Sequence, residues 1–520
     1  MQQGGYWWKL LHTTNFKGVL AGLAAHSGQI SVGLSQGFSA ILLPKLLESK
    51  FASINEASWI ASLGVISNPL GAFIAGTTAE CYGRRAAIAL ATLPHAMGWL
   101  LIALAQNVPV LYAGRLISGI GTGMANALYL YVTEVAAPHQ RAWLASSGPV
   151  LVSLGVLAIY ALGAITSWQS SAAISIGPAI LSLALTRIMP ESPAWLIRKN
   201  RLKEAQEALT WLRGPGLASE KEFQQLCSSS PQNTSEKSVS FSQTVSVIWR
   251  PFIILLIFFA LQQMSGIYII LFYAVTFLKE VGTDINEYAA SVGIGVIRLS
   301  AAILGTAVAN HFGRKALACS SAIGMTFSAG GVAIALKYPG IPSCIPLICV
   351  AFHVAFSMIG FLTLPWVMTS ELYSLKYRGT MSGITTAIAQ IMAFATIKSY
   401  PHINNIIGLE GTMYIFTVSA IVGALFAGTI LPETKGKSLD EIGKDFTSVQ
   451  EHTVSNLPNE RFSVLPEDKY TYPRIIVLSG AYENLGIDLR DEQPSKSLNS
   501  QVFTSDSCIL KLSSLEHGRL

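Results

Sequence analysis

The sequence predicts an all-α membrane protein, with twelve transmembrane helices in two six-helix halves joined by a polar linker. Three observations predict it. Of 520 residues, 51% are hydrophobic and 12% charged, about half the charged share of an ordinary soluble protein, and mean hydropathy is +0.47. The charges sit in short connectors and leave uncharged stretches of about 20 residues, the length that crosses a bilayer as a helix with its own backbone satisfied. Several motifs of the first half recur, in order, in the second.

Spans fall at about 18–43, 58–79, 86–106, 110–133, 142–163 and 168–188, then at 251–278, 287–309, 316–337, 345–369, 379–400 and 409–431. The chain therefore divides into an N-terminal segment 1–17, a first half 18–188, a linker 189–250, a second half 251–431 and a tail 432–520. In the linker, NRLKEAQEALTWLRGPG reads as an amphipathic helix with Leu202, Ala205, Leu209 and Leu212 on one face, stopped by Gly214-Pro215. The tail is rich in Ser, Glu, Asp and Asn and reads as disordered. Within it, Tyr482-Glu-Asn-Leu485 fits a short tyrosine-based sorting pattern. The start, MQQGGYWWKLLHTTNFKG, has no cleavable signal pattern.

Basic residues set the orientation. One set of connectors carries Arg84, Arg85, Arg141, the run Arg198-Lys199-Asn200-Arg201, Arg314, Lys315, Lys376 and Arg378; the other carries only Lys45, Lys50, Lys279, Lys337 and Lys398. Both termini and the linker are thereby expected in the cytoplasm, where the sequon at Asn233 stays unglycosylated. The net charge of +6 comes mostly from these loops and implies no nucleic-acid partner. The six cysteines form no CxxC pair and no cluster with histidine, so neither a disulfide framework nor a zinc site is expected. No nucleophile triad, metal spacing or phosphate loop argues for an enzyme, and no cofactor is implied. The expected partners are the lipid bilayer and a small-molecule solute.

The internal repeat is the strongest signal. GTTAECYGRR (76–85) matches GTAVANHFGRK (305–315), with Gly83 and Gly313 offset by 230 residues. EVAAPHQR (134–141) matches ELYSLKYR (371–378) at an offset of 237, and PESP (190–193) matches PETK (432–435) at 242. Two six-span halves related by a parallel repeat suit a rocking transporter. Glu80, Arg84, Arg85, Glu134, Arg141, Arg314, Lys315, Glu371 and Arg378 lie at the cytoplasmic ends of spans, and Glu191 and Glu433 stand just past the sixth and twelfth. Opposite charges here are expected to pair across the seam between the halves. Each exposed pair contributes about 0–1 kcal/mol, but a ring of them biases a two-state equilibrium. Spacing alone leaves open a blander reading, in which they are topology signals and helix caps.

These motifs, with QQMSGI (262–267) and LPW (364–366), resemble the sugar porter family of the major facilitator superfamily over about residues 15–440, and within it the facilitated glucose and trehalose transporters of animals. The resemblance implies the major facilitator fold, facilitative transport of a sugar at the plasma membrane, and a latch between helices that closes the inner side.

QQMSGIY (262–268) places an uncharged polar cluster inside an apolar span. A glutamine amide matches a sugar hydroxyl, because each both donates and accepts, and Gly266 permits a break that frees backbone groups. Residue type supports equally well a role as glue between helices. The resemblance favours a lining role and implies that Trp366 stacks beside the sugar. The candidate substrate contacts are Gln262, Gln263, Tyr268, Tyr273, Arg298, Trp366 and Gln390. Against the family pattern, Tyr268 and Arg298 replace asparagines, Pro149 a glutamine and Met358 a glutamate, while Ala389 and Gln390 fill an Asn-Trp position. Asn310 stands at the place of an acid and Cys81 at that of an arginine. Most polar hexose contacts are thus changed, which keeps open a non-hexose or anionic solute, or a nutrient sensor that does not transport. The first span has no acid where proton-linked relatives resemble each other in carrying an aspartate, so passive transport is expected. His26 is the one histidine of that span. Arg298, centred in its span, costs roughly 2.5–3.5 kcal/mol on insertion scales and should face a cavity, held over the Tyr268 ring or aimed at an anionic solute.

Overall fold

A computed structural model describes residues 16–228, 241–282, 285–309, 311–338, 340–373 and 378–435, all within the compact unit Met1–Asn456. The segment 1–15, the sequon at Asn233, Asn310, Lys376, the Arg378 side chain and the tail from 436, with Tyr482 to Leu485, lie outside the described residues.

Among the described residues the regular structure is helical, and the helices occupy the predicted positions. The first pass is Phe16–His26 and Gly28–Glu48, the second Ile54–Ile66 and Asn68–Cys81, and the third Arg84–Ala103. The fourth is Val108–Met124 and Asn126–Val135, the fifth Pro138–Ile165, and the sixth Trp168–Ile174 and Ile176–Leu185. The seventh pass comprises Phe241–Met264, Ile267–Phe272 and Ala274–Val281. The eighth is Glu287–Ala309, the ninth Arg314–Lys337, and the tenth Cys344–Ile359 and Leu364–Glu371. The eleventh and twelfth form one run, Arg378–Thr429, divided at Gly408, whose φ of 72° interrupts the helix. Nine of these runs are long and apolar enough to cross a membrane, Gly379–Thr429 counting as one.

Local chemistry starts the helices where they start. Ser53 and Glu56 form a reciprocal capping box, while Asn107, Ser167 and Ser192 each accept from a backbone N–H of the first turn. The first and fifth passes cross closely because Gly33 and Gly155 face each other: a Cβ on either would meet a backbone carbonyl, that of Val152 or Ile30. Large apolar side chains such as Phe73, Leu104, Phe327 and Leu425 point outward, as a lipid-facing surface requires.

The linker holds three helices, Pro193–Arg198, Leu202–Arg213 and Leu217–Ser228. Ala205, Leu209 and Leu212 are buried as predicted, but Leu202 is 44% exposed because it opens its helix beyond the packed face.

Three apolar cores position the halves. One belongs to the first half and includes Ala79, Ala87, Val132 and Val135. A second belongs to the second half and includes Leu317, Met368, Leu372 and Leu431. Both lie at the end carrying the two Gly-Arg turns. The third core is shared: Phe38, Ile41, Val156 and Ile159 pack with Ile267, Phe272, Ile294 and Ile397 at the opposite end. Side-chain bonds between the halves run from mid-bundle to that opposite end. Tyr160 donates to the Leu271 carbonyl at 2.8 Å. Lys398 donates to Ser58 at 2.6 Å and to Asn55 at 2.9 Å, and sits 4.4 Å over the Trp59 ring. The halves are joined at one end and carry separate cores at the other.

Candidate functional site

The seventh pass breaks inside QQMSGIY. Gly266 takes φ +82°, and a Cβ there would run into the Phe416 ring. The break frees the Ser265 carbonyl, and His353 of the tenth pass receives it, with Nε2 at 3.1 Å from that oxygen and Nδ1 at 3.3 Å from Ser328 Oγ. With its proton on Nε2 the ring donates to the Ser265 carbonyl. The tenth pass breaks nearby, between Ile359 and Leu364. Gln262 Nε2 donates to the Phe361 and Leu362 carbonyls exposed there, both at 2.9 Å, and its Oε1 accepts from Gln263 Nε2 at 3.3 Å. Gln262 is therefore spent on backbone at a helix break, whereas the buried Gln263 Oε1 has no partner in the protein. Of the paired amides that the sequence places at the site, the structure leaves Gln263 available.

Arg298 sits at the centre of the eighth pass and is 6% exposed. Its Nε lies 3.4 Å from Ser153 Oγ of the fifth pass, bridging the halves. The Tyr160 and Tyr268 hydroxyls are its electrostatic neighbours. Among the described residues no cation–π pair includes Arg298, so the guanidinium is not stacked on the Tyr268 ring. Instead the Tyr268 hydroxyl has the Trp366 indole as its neighbour, and Trp366 packs edge-on against Phe259 with centroids 4.9 Å apart. Tyr273 donates to the Ile397 carbonyl at 3.1 Å and lies against Tyr400, which ties it into the packing of the second half. Gln390 meets Asn68 amide to amide at 3.1 Å across the seam; turned over, the Asn68 amide also donates to the Gly64 and Gly119 carbonyls. Gln263, Tyr268, Arg298, Trp366 and Gln390 thus come from the seventh, eighth, tenth and eleventh passes, with Asn68 and Ser153 facing them from the first half.

Sequence reasoning missed Arg115 and His353. Arg115, in the fourth pass, is 1% exposed and donates to the carbonyls of Ile60 at 3.0 Å and Ser35 at 3.1 Å and to Ser39 Oγ at 2.8 Å. The cost of a centred arginine, which singled out Arg298, would have found Arg115 too. Neither has an ion pair among the described residues, where no aspartate or glutamate is buried.

The charged residues at the Gly-Arg end form two matching clusters. In the first, Arg84 is 1% exposed and makes a two-point contact with Glu134, both bonds at 2.9 Å, plus bonds to Glu80 at 2.8 Å and to the Ala79 carbonyl at 2.7 Å. Glu134 also accepts from Ser192 and lies 3.4 Å from Arg198. Glu191 accepts from the backbone N–H groups of Arg84, Arg85 and Ser192 at 2.8–3.2 Å. In the second cluster Arg314 contacts Glu371 at 3.0 and 3.4 Å and the Ala309 carbonyl at 3.1 Å. Glu371 accepts from Thr434, and Glu433 accepts from the backbones of Arg314 at 2.8 Å and Lys315 at 3.1 Å. Burial holds the Glu191 carboxyl above the usual carboxylate range. Burial pushes Glu433 the same way, but its backbone donors outweigh it and leave the pKa lowered.

Each cluster lies inside one half, which corrects the expected pairing across the seam. The reason is connectivity: the arginine and its glutamate come from helices of one half, and the capping glutamate from the non-helical segment that follows the last pass of that half. Among the described residues the Arg85 side chain reaches only the Arg187 carbonyl, at 3.4 Å. Arg141 is exposed and joins no ion pair among the described residues.

Two repeated six-helix halves, joined at one end and holding separate cores at the other, are the architecture of a rocking membrane carrier. The chain belongs to the family described as "Sugar (and other) transporter", whose model matches residues 30–446. It is 30% identical over 438 residues to the facilitated trehalose transporter Tret1 of Bombyx mori, covering 83% of this chain and 87% of that one. It is 29% identical over 456 residues to the Apis mellifera ligustica protein of the same name, covering 84% and 90%. Among solved structures it superimposes on the inward-open xylose transporter XylE of E. coli with a TM-score of 0.69 at 23% identity, covering 81% of this chain and 98% of that one.

Proposed function

We propose that this protein carries a sugar, such as trehalose or a hexose, passively across the plasma membrane by alternating access. One observation carries the reading: the two halves share a core at one end and have separate cores at the other, so a solute site at mid-bundle opens toward the Gly-Arg end. The distribution of basic residues assigns that end, both termini and the linker to the cytoplasm, and the conformation is then inward-facing. The clusters around Arg84 and Arg314 hold each half rigid. The exposed Arg141, with Arg378 and Lys315, is available to close the seam when the halves rock together, together with the glutamates of the opposite half.

At mid-bundle, Gln263, Tyr268, Arg298, Trp366 and Gln390 offer donors and acceptors for hydroxyls and an aromatic face for the apolar side of a sugar ring. The test is saturable uptake of labelled trehalose and of hexoses by the purified chain in proteoliposomes. Uptake that rises linearly with concentration for every sugar, equal to empty vesicles, would refute the reading.

A further inference from the structure

Three buried polar atoms of the first half converge on one small cavity away from the mid-bundle site. Ser31 Oγ of the first pass, His95 Nε2 of the third and Ser182 Oγ of the sixth have no hydrogen-bond partner in the protein, and their residues are 2%, 3% and 0% exposed. All three residues line a pocket completed by Thr92 and by Gly28 and Ala125, which border the helix breaks of the first and fourth passes. The pocket leaves about 10 Å³ for the centre of a water-sized sphere, about the least that admits one water molecule.

The donors and acceptors around it are determined. His95 Nδ1 lies 3.1 Å from the Ala91 carbonyl, so Nδ1 carries the proton and Nε2 offers a lone pair. Thr92 donates to the Ala89 carbonyl at 2.7 Å, so its oxygen is left as an acceptor. Ser31 and Ser182 each hold a hydroxyl proton with no acceptor in the protein. Two acceptors and two donors are the complement of a single water molecule, which gives two hydrogens and receives two.

We propose that this pocket is a binding site for one ordered water, donating to His95 Nε2 and Thr92 Oγ1 and accepting from Ser31 and Ser182. Such a water bridges the first, third and sixth passes where the first and fourth are interrupted. It replaces direct helix-to-helix bonds at a point where the backbone is least regular, and it helps the first half move as one body. No carboxylate lines the pocket, so the site suits a neutral ligand rather than a cation.

A density map of the purified full chain, at a resolution that shows ordered water, should contain a peak between these side chains. The variants Ser31→Ala, Ser182→Ala and their combination provide a second readout in detergent. Each single change should lower the melting temperature by on the order of 2 °C. Because the two hydroxyls act through one shared water, the double variant should fall by less than the sum of the singles. Well-ordered side chains with no peak between them would overturn the proposal, and so would strictly additive shifts.

Discussion

Arg314 repeats in the second half two side-chain contacts that Arg84 makes in the first. Each guanidinium grips a glutamate on a neighbouring helix, Glu371 or Glu134, and the carbonyl five residues back, Ala309 or Ala79. The two differ in burial, with side-chain exposures of 1% for Arg84 and 21% for Arg314. An ion pair open to water contributes about 0–1 kcal/mol, and one whose arginine is shut away from water contributes more because it is screened less. Arg84→Ala should therefore lower the melting temperature of the purified protein clearly, and Arg314→Ala less. Equal shifts would mean that the clusters contribute by position alone.

Arg141 separates stability from movement. It is exposed and, among the described residues, outside the ion pairs of this conformation, so on the proposed closing role Arg141→Ala should leave the melting temperature within about 1 °C while cutting the initial rate of uptake severalfold. Melting curves and initial rates on one preparation decide this. An unchanged rate would leave topology as the role of Arg141.

The sequence carried the repeat and the apolar, helical character of the spans, because hydrophobic runs and local motifs are properties of neighbouring residues. It carried less of the pairing. Glu134 is seven residues from Arg141, so a motif joins them along the chain, yet its bonded partner Arg84 is 50 residues away. QQMSGIY was legible as a break around a polar cluster, since a glycine close behind two glutamines inside an apolar span both weakens the helix and supplies amides for the backbone groups it frees. That Gln262 would serve the Phe361 and Leu362 carbonyls was not legible, because their release depends on a second break 99 residues on. Leu202 followed the helical period but fell beyond the packed face, which only the docking of the helix decides.

Gly266 offers a test of the break itself. Alanine there must adopt φ +82°, which costs roughly 1–2 kcal/mol, and its methyl must displace the Phe416 ring. Gly266→Ala should lose several degrees of melting temperature, and Phe416→Leu in the same chain should restore part of the loss by making room. If Gly266→Ala melts like the parent, the left-handed turn is not required by the fold.

Coupling is the next prediction. Among the described residues no aspartate or glutamate is buried, and the buried arginines Arg115 and Arg298 bond to carbonyls and hydroxyls. A transmembrane proton cycle needs a group that alternates between charged and neutral at mid-bundle. Sugar uptake should accordingly stop at equal concentrations on both sides, and an imposed pH gradient should not drive accumulation. Uphill transport abolished by a protonophore would contradict this and direct attention to the buried His26.

Tyr268 and Arg298 provide the sharpest test of the solute site. Both depart from the asparagines of the family pattern. The structure places them as electrostatic neighbours, Arg298 reaching across to Ser153 and Tyr268 lying beside the Trp366 indole. Their bulk takes up space where shorter amides would leave room for hexose hydroxyls, and a guanidinium donates without accepting. Tyr268→Asn with Arg298→Asn should therefore raise glucose uptake relative to trehalose, and should also relieve the roughly 2.5–3.5 kcal/mol that a centred arginine costs on insertion. Because the Arg298 bond to Ser153 joins the halves, the double variant should also open more readily at the end opposite the Gly-Arg turns. That would appear as faster labelling of a cysteine placed at Ile294 by a membrane-impermeant reagent. A parent that already carries glucose well, with a double variant that does no better, would show that these two side chains do not set the choice of sugar.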